Sequence, residues 1–424
     1  MNVRLPEEWI RKKPVRYIWF ALCTAALPAC FLLSVFDEVN FNKIVIMAAF
    51  AVFCIWIFGI REHRRIGRLS MMDRFVIAMA VAVTLTTLRA SDLMADYEGI
   101  AYTHVEELQR LFAAAVIACF VYQYQKKAFR AGMQVISWII WGTAIYQLIF
   151  CVPMLIETSD GTIATLEVSV HNLNTQYLNY SVYGHHIPCA TAFVIGLALP
   201  MVRRWWWLDM ILKLVYVPAV LITYARSGWI GFVAVLLLLV FEMVHKRYPK
   251  LGKKWVFIIV VPLFAAAFLY FWIFHLDSRG DYIGGMNNGR LRYWNYALTV
   301  MFPERPLVSK LFGNGFYTSI VMDQTPVPQP GFPAIDNGFI TLLYEQGILG
   351  FSAVICLFFR AFRSVWAIDE NRYYAIALIG AAVTGLFYEI QFWAQIGFLM
   401  AVMLAVFFGR GMTGAVPEDY GEGE

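Results

Sequence analysis

The sequence predicts an all-α polytopic membrane protein of about twelve transmembrane helices, with one long external loop that bears short helices. Three observations predict it. Hydrophobic residues make up 60% of the 424 and charged residues only 15%, with a mean hydropathy of +0.61; a soluble domain of this size does not have that balance. Apolar runs of about 20 residues, the length that crosses a bilayer as helix, recur along the whole chain. Basic residues gather between alternate pairs of those runs, as they do in loops kept on the cytoplasmic side.

In order, the runs lie at 17–36, 43–60, 73–90, 109–125, 132–155, 185–202, 206–224, 228–245, 255–275, 338–360, 373–389 and 393–409. Several contain Gly or Pro, which membrane helices tolerate when neighbours re-satisfy the backbone. The N-terminal MNVRLPEEWIRKKPVRY is basic, and no small-residue cleavage site follows the first run. That run therefore reads as a retained span, not a signal peptide. The basic clusters are Arg4 to Arg16, Arg61 to Arg74, Lys126–Arg130, Arg203–Arg204, Lys246 to Lys254, Arg360 to Arg372, and Arg410. With twelve spans, all fall on one side, and they hold roughly two thirds of the Lys and Arg. Both termini are then cytoplasmic. The division expected is spans one to nine over 1–275, an external loop over 276–337, three spans over 338–412, and a disordered acidic tail over 413–424.

The opposite side receives an acidic loop (91–109), a loop without Lys or Arg (156–184), and the long loop 276–337. No internal repeat suggests an inverted-repeat transporter. Seven cysteines lie in or beside apolar runs without CxxC spacing, so neither a metal site nor a disulfide framework is expected. The 14 Trp, 22 Tyr and 34 Phe suit interfacial belts and a groove for sugar or lipid.

Charges that break the orientation rule are the candidate site. Arg226 stands in ITYARSGWIGFVAV, where two runs meet at the external side with almost no loop. Such an arginine costs a few kcal/mol unless paired or hydrated; it either snorkels to headgroups or clamps an anion with its fork. The adjacent Ser227–Gly228 would let a ligand approach the backbone. Arg290 and Arg292 stand two apart in NGRLRYW. A surface helix is expected over Leu291–Phe302, started by Asn288–Gly289, with Trp294 and Tyr296 at the headgroups; Arg290 then sits at its N-terminal end, a favourable anion site.

Asp336–Asn337 open an apolar run, where the plain role is a helix N-cap; Asp336 could also serve as a base. Glu345 follows about two turns deeper, and intramembrane acids are functional candidates. His185–His186 open another run at the external face. Glu389 and Gln391 occupy the corner between the last two.

These pieces, ARSGWIG (225–231), GRLRYW (289–294), LFGNG (311–315) and DNGFITLLYEQGILG (336–350), resemble in order and spacing the O-antigen polymerase and O-antigen ligase superfamily. The resemblance covers the C-terminal half in motif detail and the first half in span count alone. It implies a bacterial inner-membrane glycosyltransferase of GT-C-like fold that takes undecaprenyl-pyrophosphate-linked glycans as donor and acceptor and needs no metal or other cofactor. Arg226 and Arg290 match the family's arginines, which hold the pyrophosphate. Ligases of the family carry His-Asn or His-Ser where this chain has Asp336–Asn337, a departure that favours polymerase over ligase.

The mechanism the resemblance implies is a single inverting displacement. Arg226, Arg290 and Arg292 stabilise charge on the leaving pyrophosphate. Asp336, or less favourably Glu345, takes the acceptor proton. Asn337, His185 and His186 complete the groove, with Trp294, Tyr177 and Tyr317 as stacking candidates. Membrane lipid and a chain-length regulator are expected partners, nucleic acid is not, and the active site faces the periplasm. The alternatives are a ligase transferring the finished glycan to lipid A core, and a flippase of lipid-linked oligosaccharide.

Overall fold

The structure, a computed structural model, describes residues 13–36, 71–94, 103–151, 153, 183, 185–223, 225–248, 258, 262, 294–295, 297–316, 318–319, 335, 337–388 and 390–408. It is 85% helical, with no strand among the described residues. The helices are α1 (Lys13–Phe36), α2 (Met71–Met94), α3 (Thr103–Tyr124), α4 (Lys126–Tyr146), α5 (His186–Ala198), α6 (Trp206–Lys213), α7 (Tyr216–Ile222), α8 (Arg226–Arg247), α9 (Leu307–Phe312), α10 (Gly338–Ala367), α11 (Arg372–Gly385) and α12 (Ala394–Phe407). Single turns of π-helix follow at Gln147–Cys151 and Ala297–Met301. The apolar run at 43–60, and all of the run at 255–275 but residues 258 and 262, lie outside the described residues.

This is an all-α membrane protein. Among the described residues, the helical stretches Met71–Arg89, Lys126–Phe150, Arg226–Arg247 and Gly338–Ala367 are long and apolar enough to cross a bilayer. Shorter apolar helices run over Phe20–Val35, Leu108–Tyr122, His186–Ala198 and Ala394–Phe407. The run at 206–224 is not one helix but two, α6 and α7, and Pro218 accounts for the break. Proline has no N–H to offer the carbonyl four residues back and its ring crowds it. The Leu214 carbonyl accepts from Val217 N at 3.1 Å instead.

Close helix approach is built on small residues, the usual device where lipid offers no hydrophobic drive. Gly132 of α4 sits over the Thr24 carbonyl and Pro28 of α1. Gly231 of α8 meets Gly380 and Thr384 of α11, and Gly228 of α8 meets Ala190 of α5. A Cβ at any of these positions would overlap its neighbour.

Polar ties collect at one end of the bundle. Lys126 and Arg130 pair with Glu370. Glu242 accepts from Lys246 at 2.5 Å, from Arg372, and from Tyr373 at 3.0 Å. Arg360 bonds Asp73 and the Phe407 carbonyl, and Arg203 reaches Tyr374 at 3.5 Å. The basic ends of α4, α8, α10 and α11 thus converge, as alternating spans require. Breaking one buried partner of such a pair strands a charge, so these ties fix the helix ends more than they add net stability. The other end of the bundle carries Arg226, His185, Asn337 and the corner 386–393. Between α2, α3, α10 and α12 runs an apolar cavity of about 680 Å³, from Gly338 and Gln391 to Phe408.

Candidate functional site

Arg226, His185, His186, Trp294, Asn337 and Glu345 are described, whereas Asp336, Arg290, Arg292, Tyr177 and Tyr317 lie outside the described residues, as does Glu389. The described ones gather at the end opposite the basic ties. A chain of contacts shows how.

His185 is the N-cap of α5, with its Nδ1 accepting from Ile187 N at 3.4 Å. Its ring lies 4.1 Å from that of His186, and it stacks on Tyr388 (5.5 Å, 3°) and Trp393 (5.4 Å, 23°). The α5 histidines are therefore seated on the corner between α11 and α12. Asn337 reaches the same corner: its Nδ2 donates to the Leu386 carbonyl at 2.9 Å. Gly338 packs closely against the Gln391 side chain and the Gly385 and Tyr388 carbonyls.

Of the Asp336–Asn337 pair, Asn337 is the cap. Its Oδ1 accepts from Phe339 N and Ile340 N, each at 3.0 Å, which satisfies two of the amides a helix start leaves open. The side chain is thus committed to holding α10 against the corner. Asn337→Ala should lower stability by about 1–2 kcal/mol, from the lost cap and the stranded Leu386 carbonyl. Asn337→Asp keeps the cap acceptor but also strands the Leu386 carbonyl, so it should recover only the cap's share. Thermal unfolding of the two variants in detergent checks the order.

Arg226 is the first residue of α8, separated from α7 by the short link 223–225. The preceding Ala225 supplies no side-chain cap, and the first turn holds no acidic residue. A cation at the positive end of a helix dipole opposes helix formation unless an anion joins it. Gly228, expected to admit a ligand, instead admits α5 through Ala190; close helix crossing is its physical reason.

The long loop is anchored to α10 by bonds that sequence reasoning did not foresee. Trp294, helical with Asn295, is half-buried, and its indole donates to the Ile335 carbonyl at 2.6 Å. Its ring lies 6.4 Å from Phe387 of the same corner. The indole N–H that would sit at headgroups or above a sugar is therefore held one residue before Asp336. Of 291–302, residues 294–295 are helical, 297–301 form the π-turn and 302 is in a turn. Arg305 donates to the Tyr344 carbonyl at 3.0 Å, with its guanidinium 3.2 Å from the Tyr344 ring centre. Burial pulls the Arg305 guanidinium down to about 10, which leaves it cationic at neutral pH. Glu345 is buried within α10 and accepts from Ser319 N at 3.2 Å and Ser319 Oγ at 2.7 Å.

Arg110 was also missed. It lies in α3, fully buried, at the end where arginines are scarce; the neighbouring Leu111 packs near Gly397 of α12. The signal in the sequence was an arginine entering an apolar run directly after the acidic loop.

Residues 211–355, roughly a third of the chain, match the family model described as O-antigen ligase. The match supports the O-antigen ligase and polymerase superfamily. Arg226, Trp294, Arg305, Asn337 and Glu345 fall inside it, with the four motifs; His185 and His186 precede it. No curated protein matches the chain. The O-antigen ligase description is what the segment 211–355 is similar to.

Proposed function

We propose that this protein is an inner-membrane glycosyltransferase that polymerises undecaprenyl-pyrophosphate-linked repeat units into a surface polysaccharide. The observation that carries the reading is Arg226 at an uncapped helix start, inside the segment that matches the family, at the end of the bundle where α10 and the His185 corner meet. A guanidinium at a helix N-terminus suits a pyrophosphate.

The chemistry follows from that group. A sugar on pyrophosphate is already activated, so what needs stabilising is negative charge on the leaving group as the glycosidic bond breaks. Arg226, with Arg290 and Arg292 from the long loop, supplies it in a site poor in water. Asp336, at the threshold of α10, takes the proton of the acceptor hydroxyl. Holding two lipid-linked substrates side by side removes much of the entropic barrier. The apolar cavity that Gly338 helps to line suits a polyprenyl tail. In this reading twelve spans form a GT-C-like fold with both termini cytoplasmic, and the loops 156–184 and 276–337 form a sugar groove facing the periplasm. A chain-length regulator would act in trans.

Ligation is the second reading, favoured by the family description itself; the aspartate at 336, where ligases of the family carry histidine, favours polymerisation. The test is purified protein in lipid with a short undecaprenyl-pyrophosphate-linked repeat, with and without lipid A core. A ladder of lengthening glycans without added core supports the polymerase. Transfer onto the core with no ladder makes it a ligase. Movement of the lipid-linked unit across the bilayer without a new glycosidic bond sinks both.

A further inference from the structure

Glu345 is the acid that the reaction above leaves without a task. It is the eighth residue of α10 and 1% exposed, and one of its oxygens takes both Ser319 donors. A general base needs a lone pair within reach of the acceptor hydroxyl, and this carboxylate is turned into a protein turn instead. Its backbone carbonyl is engaged as well, accepting from Gly315 N at 3.0 Å.

The reason lies two residues on. Gly347 breaks the helical run of α10 with φ 66° and ψ −176°. Carbonyls in an interrupted turn need partners from elsewhere. The long loop supplies them: Arg305 to Tyr344 and Gly315 to Glu345. The turn itself fits by two reciprocal glycine contacts, Gly313 against the Glu345 carbonyl and Gly347 against Gly313 N and Leu311 O. Phe316 N, in the same turn, donates to Thr87 Oγ1 of α2 at 2.9 Å.

We propose that Glu345 is a positioning residue that clamps the described residues 313–316 and 318–319 of the long loop onto α10 and so fixes that part of the loop beside the site. The inference rests on the glycosyltransferase reading for its consequence, and on geometry alone for the clamp. The two bonds from Ser319 need an acceptor oxygen. A glutamine in place of Glu345 keeps a carbonyl oxygen for both Ser319 donors; an alanine does not.

The experiment compares wild type, Glu345→Gln, Glu345→Ala and Ser319→Ala in lipid, with two readouts. The first is hydrogen exchange at Gly315 and Ser319. Faster exchange is expected in Glu345→Ala and Ser319→Ala, and wild-type protection in Glu345→Gln. The second is turnover in the ladder assay across pH. Glu345→Ala should lose up to about 10²-fold in kcat, the cost of a small misplacement far from the chemistry; Glu345→Gln should keep most of the rate and the same pH profile. A Glu345→Gln protein that folds but is as inactive as Glu345→Ala, or that loses one limb of the pH profile, overturns the proposal by making Glu345 a titrating participant. Unchanged exchange in both Glu345→Ala and Ser319→Ala also overturns it. If Glu345→Ala does not fold, Ser319→Ala against Glu345→Gln gives the same contrast. A wild type that joins no glycan to any acceptor defeats the functional reading, while exchange still decides the clamp.

Discussion

Gly347→Ala should destabilise the protein by about 3 kcal/mol or more and release the long loop from α10. Two costs add. The residue sits at φ 66°, ψ −176°, a region that side chains other than hydrogen strain to enter, at about 1–3 kcal/mol. A Cβ there would also come within 2.5 Å of Gly313 N, Leu311 C and Leu311 O, and overpacking of this kind adds about 1–3 kcal/mol. Neither neighbour can yield, because all of the atoms are backbone and Gly313, itself at φ 78°, is pressed against the Glu345 carbonyl. The control is Gly142→Ala in α4, where a Cβ meets nothing within 4 Å. That change should be neutral or stabilise by up to about 1 kcal/mol, as Gly to Ala does in a helix interior. Thermal unfolding in detergent, with exchange at Gly315 as the local readout, separates them. A Gly347→Ala protein as stable as Gly142→Ala would mean that α10 runs straight and that the loop is held by other bonds.

The contrast between those glycines shows what the sequence carries and what it does not. Hydropathy and basic clustering locate α1, α2, α5, α8, α11 and α12 to within about four residues and place α3, α4 and α10 with an end six or more residues off, because a span is a local property of about 20 consecutive side chains. Local chemistry also identifies the α10 cap, since Asp or Asn before an apolar run does the same work in any helix. The break at Pro218 was readable in principle from the missing N–H, yet the apolar run hid it. The clamp on Glu345 was not readable: nothing near residue 345 says that a turn 26 to 32 residues upstream will supply its donors. The run EQGILG does contain two glycines, and a glycine in mid-helix is a warning of interruption; only the LFGNG turn seated against it shows why. Glu345 looked like an intramembrane acid waiting for substrate, and Gly228 like room for a ligand. Ser319 donates to the first, and Ala190 packs against the second.

Arg226→Ala should reduce turnover by about 10²–10³-fold while the fold survives, the usual cost of removing one preorganised donor from a developing anion. α8 starts at a capless Ala225 and has no acid in its first turn, so within the helix the guanidinium adds positive charge to an end already positive. Its removal relieves that repulsion, and the fold should survive it. Arg226→Lys keeps the charge and loses the planar fork that matches phosphate oxygens, so it should recover only part of the rate. The competing role, a side chain snorkelling to lipid headgroups, makes the opposite forecast: both variants would turn over like wild type, because a headgroup contact takes no part in the reaction. Arg290→Ala supplies the last discrimination. If both arginines hold one pyrophosphate, they act as a unit, and the double variant should be little worse than either single one. Losses that multiply would place the two arginines on separate groups, one on the leaving pyrophosphate and the other on the lipid carrier of the acceptor.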